Sequence, residues 1–99
     1  MNQMQQMLIN AQKMQRELAK AKAALAEKEF SKSKSGMVTI VMKGDRSIVS
    51  IDIDKDALDP ENKEMLEDAI AVAYNELNEE ITAEDDALEE SITGKNKLF

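Results

Sequence analysis

The stretch NQMQQMLINAQKMQRELAKAKAALAEKE, residues 2–29, decides the architecture. It holds no Gly or Pro and is dominated by Gln, Met, Lys, Ala, Leu and Glu, all good helix formers. The reading is a single helix over residues 1–29. Met4, Met7, Ala11, Met14, Leu18, Ala21 and Leu25 fall on alternating steps of three and four, the a and d positions of three heptads, and Lys28 breaks the next one. A helix of that length spans about 40 Å, whereas a compact domain of about 100 residues has a radius of gyration near 13 Å. The helix must therefore project, and its narrow apolar stripe needs a partner. The economical partner is the same helix of a second subunit, because two-fold dimers are the commonest assembly. Met4, Met7, Ala11, Met14, Leu18 and Leu25 are accordingly the expected dimer interface. Methionines at this spacing are read as packing material rather than as a metal or peptide site.

Working outward, residues 30–54 read as a small sheet. Gly36 opens Met37-Val-Thr-Ile-Val-Met42, rich in β-branched residues. Lys43-Gly44-Asp45-Arg46 is a turn, with Gly44 suited to a positive φ. Ser47 to Asp54 alternates, so that Val49, Ile51 and Ile53 share one side and Ser50 and Asp52 the other. The preceding EFSKSKS alternates weakly and is a candidate third strand at the edge, where Lys32 and Lys34 would discourage unwanted pairing. A sheet of two or three strands needs the helices to cover it. Asp59-Pro60-Glu61 then signals a helix start. Leu66, Ile70, Ala73, Leu77 and Ile81 form its stripe, widened by Met65, Ala69 and Val72. Thr82 with Asp85 resembles a capping box, which predicts a break between a helix over residues 60–81 and a short acidic helix over residues 83–92, ending before Gly94. The expectation is one α+β domain over residues 1–99: a long N-terminal helix, a small antiparallel sheet and two C-terminal helices.

Composition narrows the function. Thirteen Lys and Arg stand against twenty Asp and Glu, a net charge of −7, which argues against a uniformly basic nucleic-acid module. The charge is segregated. From Met1 to Gly36 seven basic residues face three acids, a net of +4, whereas Lys55 to Phe99 carries four bases and fourteen acids, a net of −10. With no His and no Cys, His general bases, thiolate nucleophiles, disulfides and Cys/His metal sites are excluded. Nothing reads as an enzyme, and no cofactor, metal or small-molecule substrate is expected. No apolar run approaches the roughly 20 residues of a membrane span, so a soluble cytoplasmic protein is expected. Asp52-x-Asp54-x-Asp56 starts like a calcium loop, but Ala57 and Lys63 stand where such a loop needs Gly and Glu. A turn leading into a capped helix explains these aspartates better.

One basic constellation remains. Lys13, Arg16 and Lys20, at i, i+3 and i+7, share a face of the first helix away from the Met/Leu seam. Duplicated in a dimer, the stripe would meet duplex phosphates and would not read bases. Lys32 and Lys34 are weaker candidates.

The ordered set Met4-Gln-Gln-Met7, Ala11-Gln-Lys-Met-Gln15, Gly36-Met-Val-Thr-Ile-Val, Ile51-Asp-Ile-Asp, Asp59-Pro-Glu, Glu64-Met-Leu-Glu-Asp-Ala-Ile70 and Ala73-Tyr-Asn75 resembles the YbaB/EbfC family of bacterial nucleoid-associated proteins. The likeness runs over nearly the whole chain. It implies a tweezer-shaped homodimer with a central sheet, and duplex DNA as the partner, bound with the first and last helices implicated. Two features depart from the pattern. The last segment carries Glu84, Asp85, Asp86, Glu89 and Glu90 without a base, and the tail is reduced to Gly94-Lys-Asn-Lys-Leu-Phe99. The leading expectation is a nucleoid-associated homodimer binding DNA with low sequence specificity through first-helix bases. The alternative is a dimeric protein-interaction module of the same fold, its acidic helices having cost it DNA binding.

Overall fold

The computed structural model describes residues 2–94. The elements run α1 (Gln3–Glu27), β1 (Glu29–Lys34), β2 (Val38–Lys43), β3 (Ile48–Ile53), two 3-10 turns (Lys55–Ala57 and Pro60–Asn62) and α2 (Lys63–Thr93). The architecture is α+β, with a long first helix and a three-stranded antiparallel sheet in the order β1-β2-β3.

Helix α1 begins where its side chains can close the first turn. The Gln5 N–H donates to the Asn2 side chain at 2.8 Å, and the Asn2 N–H donates back to the Gln5 side chain at 3.3 Å. This reciprocal cap satisfies two donors that a helix end otherwise leaves open. The helix stops at Glu27 rather than Glu29 because Lys28 turns extended and Phe30 is drawn into the core as a strand residue.

Lys34 and Met37 flank the β1–β2 turn, closed by a 2.9 Å bond from Met37 N–H to Lys34 O. Ser35 and Gly36 both take positive φ (57° and 64°), as a type I′ turn requires. The β2–β3 turn works differently from the expectation. Gly44 does not hold a positive φ; Arg46 does, at 72°. Gly44 is needed for space. A Cβ there would lie 1.9 Å from the Leu25 carbonyl oxygen. That closeness lets the turn dock on the end of α1: the Gly44 N–H donates to Lys28 O at 2.9 Å and the Asp45 N–H to Ala26 O at 3.3 Å. Two carbonyls near the helix terminus thereby gain partners.

The core lies between α2 and the inner face of the sheet. Leu25, Phe30, Val38, Ile40, Met42, Ala69, Ala73, Leu77 and Ile81 are buried, with Ile53, Leu66, Ile70 and Leu88 packed against them. Strict alternation along β2 places Val38, Ile40 and Met42 inward. Small residues at Ala69 and Ala73 suit a close approach of helix to sheet. Met65 and Val72, expected to widen the stripe, are exposed.

The break expected at Thr82 does not occur. Helix α2 is continuous through Thr93 and about 46 Å long. The reason is that the stripe does not stop: Leu77 and Ile81 are buried and Leu88 continues on the same side. The Thr82 hydroxyl, rather than capping a new helix, accepts from Arg46 Nη2 at 2.8 Å. Asp59 caps the Pro60–Asn62 turn by accepting from the Glu61 N–H at 2.9 Å, so the α-helix starts at Lys63 rather than at Pro60. Asp54 likewise accepts from the Asp56 N–H at 2.8 Å, the local turn role expected for this aspartate run.

The result is long and narrow, 71 × 19 × 13 Å, with a radius of gyration of 19.9 Å. That exceeds the roughly 13 Å of a compact domain this size. The N-terminal part of α1 projects, and residues 2–9 are exposed throughout.

Candidate nucleic-acid interface

Leu25, expected in a dimer seam, is buried in the chain's own core, in one cluster with Leu77 and Ile81 of α2. This divides the α1 stripe. Its C-terminal end packs on α2 of the same chain; Ala11, Met14 and Leu18 are half-buried; Met4 and Met7 are exposed, together with Leu8 and Ile9. Half of the need for a partner is thus met within one chain.

The same packing separates the basic residues into two groups. Lys13, Arg16 and Lys20 point away from the seam, exposed, and make no ion pair among the described residues. At 1.5 Å per residue they span about 10 Å of α1, or about three phosphate steps along one DNA strand.

The lysines that face α2 are paired. Lys22 Nζ lies 2.7 Å from Asp85 and 2.5 Å from Glu89. Lys28 pairs with Glu84 and Lys32 with Glu80, and Lys34 pairs with Glu76 at 2.6 Å. Donating hydrogen bonds to Asp85 and Glu89 raises the Lys22 pKa above its ordinary value, and donating to Glu80 does the same for Lys32. Lys28 also sits over the Phe30 ring, 5.1 Å from its centroid.

The register of this ladder follows from backbone geometry. Two residues of strand advance about 6.6 Å and four residues of helix about 6 Å. Lys32 and Lys34, on the inward side of β1, therefore keep step with Glu80 and Glu76 on α2. In the sequence Glu84, Asp85, Asp86, Glu89 and Glu90 stand out only as an acidic segment without a base, and nothing there matches them with the lysines. The spacing of Glu76, Glu80 and Glu84 against the alternating lysines was the available signal.

The other groups near this surface are structural. Arg46 reaches from the β2–β3 turn to Asn78 and Thr82. The cleft lined by Lys22, Leu25, Gly44, Arg46, Ile81 and Asp85 is about 160 Å³, below the roughly 300 Å³ of a small-ligand pocket. No helix among the described residues is long and apolar enough to cross a membrane.

The structure defines an elongated α+β chain whose projecting helix carries a stripe of cations, Lys13, Arg16 and Lys20, with no ion pair among the described residues. The chain belongs to the YbaB/EbfC DNA-binding family, whose model it matches over residues 1–96. It is 41% identical over 88 residues to a nucleoid-associated protein of Enterococcus faecalis, covering 88% of this chain and 85% of that one. A nucleoid-associated protein of Mycoplasmopsis pulmonis is 39% identical over 87 residues, covering 88% and 86%. One from Lactobacillus gasseri is 39% identical over 93 residues, covering 93% and 83%. The family is one of DNA-binding proteins, not of enzymes.

Proposed function

We propose that this protein is nucleoid-associated and binds duplex DNA as a homodimer, with low sequence specificity, through Lys13, Arg16 and Lys20. The single observation that carries the reading is the division of the cations. These three stand on a projecting helix without acidic partners, while Lys22, Lys28, Lys32 and Lys34 are neutralised. Lys32 and Lys34 contribute only when freed. Contact of this kind is directed at phosphates, so it is salt-sensitive and nearly indifferent to sequence. The double substitution Arg16→Glu/Lys20→Glu tests it, since reversed charge should abolish binding while the assembly persists.

The dimer has two apolar surfaces to draw on. One is the exposed part of the α1 stripe, Met4 and Met7, running on to Ala11, Met14 and Leu18. The other is β3. Ile51 pairs with Ile40, which is 1% exposed, yet Ile51 itself is 48% exposed, because α2 covers β1 and β2 and leaves β3 open up to Ile53, which packs against the core. Ile48 and Val49 extend this apolar strip along an edge strand whose outer backbone is open to pairing.

The protein-interaction alternative is not favoured. The family is one of DNA-binding proteins and its relatives are nucleoid-associated, and five acids of α2, Glu76, Glu80, Glu84, Asp85 and Glu89, are paired with the chain's own lysines.

A further inference from the structure

The ladder between α2 and the foot of α1 with β1 has a consequence for how tightly DNA is held. Lys22, Lys28, Lys32 and Lys34 form a strip of four cations, and each has a carboxylate of α2 against its ammonium group. The side chains are partly exposed, so the pairs are open to competition from solvent ions and from other anions. A phosphate backbone offers the same ligand to these lysines as the carboxylates do: singly charged oxygens repeated at regular steps.

Resting on the DNA-binding reading above, we infer that the carboxylate row Glu76, Glu80 and Glu84 is a built-in competitor of DNA. It occupies a second phosphate-binding strip, Lys28, Lys32 and Lys34, and keeps the protein in a weak-binding state. In that state the footprint is confined to Lys13, Arg16 and Lys20 of each protomer. Removing the carboxylate charge frees three more lysines per chain, and these add counterion-releasing contacts.

The test measures binding of the full-length protein to a 30-base-pair duplex across a salt series. The variant Glu76→Gln/Glu80→Gln/Glu84→Gln is compared with Glu61→Gln/Glu64→Gln/Glu79→Gln, which changes net charge equally but touches acids outside the ladder. The ladder variant should bind at least about tenfold more tightly than the control. Its log–log salt slope should steepen by about 0.9 for each added phosphate contact. Adding Lys28→Gln/Lys32→Gln/Lys34→Gln should erase that gain, whereas the same lysine changes in the parent should leave its affinity nearly unchanged. This last comparison does not depend on the ladder variant folding.

An equal gain in the control would overturn the inference, since repulsion alone would then account for it. A several-fold loss on removing the lysines from the parent would also overturn it, because those lysines would already be engaged. Binding by the parent with no gain in the ladder variant defeats this inference alone. No binding by the parent or by any variant at low salt defeats the DNA reading itself.

Discussion

Arg46 Nη1 donates to Asn78 Oδ1 at 2.6 Å, and the same guanidinium reaches the Asn78 carbonyl at 3.2 Å and Thr82 Oγ1 at 2.8 Å. One side chain from the β2–β3 turn thus grips α2 at the place where the sequence suggests a helix break. The turn is held in shape from its other side by Asp45, which accepts from the Ser47 N–H at 2.8 Å and from its hydroxyl at 2.5 Å. Replacing Arg46 with Ala should destabilise the fold by about 1 kcal/mol, the scale of exposed charge-assisted hydrogen bonds. For a domain of this size that lowers the melting temperature by about 4–8 °C. DNA affinity, measured below the transition, should be unchanged, because Arg46 lies outside the proposed contact.

Gly44 and Gly36 separate two reasons for a glycine. At Gly44 the obstacle is the Leu25 carbonyl, 1.9 Å from where a Cβ would stand; at Gly36 it is a φ of 64° with open space around it. Gly36→Ala should cost about 1 kcal/mol, the penalty for a side chain in the left-handed region. Gly44→Ala should cost more than about 2 kcal/mol, since the turn must move off the end of α1 and lose the Lys28 and Ala26 carbonyls. Thermal melts of the two variants rank them, and equal losses would remove the packing argument for Gly44.

The ion pairs predict an alkaline signature. Lys22 and Lys32 have raised pKa values in the fold, from their hydrogen bonds to Asp85, Glu89 and Glu80. A raised cation contributes stability that is fully present below its unfolded value, near 10.5, and is lost as pH climbs through the folded value above it. Melting temperatures followed upward from about pH 9 should fall more steeply for the parent than for Lys22→Met/Lys32→Met. Asp45 gives the opposite sign: its lowered pKa contributes stability above its ordinary value of 3.8 that is lost as pH falls through the folded one. Asp45→Asn should therefore flatten the acid limb.

The two apolar surfaces can be told apart by charge insertion. Ile51→Lys should convert a β3-mediated dimer to monomers, and Met7→Lys should do so if the α1 stripe carries the pairing. Light scattering with size-exclusion chromatography reads the mass directly. A dimer that survives both changes together would exclude both surfaces.

Much of this fold is legible in the residues. The three-and-four spacing of α1 and the β-branched run of β2 depend on near neighbours and appear in place, and Asp59 caps a turn as expected, although that turn is 3-10 and the α-helix follows it. The continuity of α2 depends on Leu77, Ile81 and Leu88 finding the sheet and α1, which no local window shows. For the same reason Thr82 resembled a cap until Arg46 arrived from 36 residues away. Leu25 fits a heptad by spacing alone, and only the return of α2 alongside α1 makes it core. At the candidate site the free stripe of Lys13, Arg16 and Lys20 follows from helical geometry. The neutralisation of Lys32 and Lys34 required knowing that β1 runs along α2 in step with Glu80 and Glu76.

The central claim is that the unpaired α1 cations hold duplex DNA. The most direct measurement is binding of the parent and of Arg16→Glu/Lys20→Glu to two unrelated duplexes over a salt series, with the dimer mass checked for each. The account predicts parent affinities alike for both duplexes and a log–log slope of about −5, for six phosphates met by two protomers. It also predicts that the double variant remains folded and dimeric but no longer binds. A double variant that binds with the parent's affinity and slope would contradict the account.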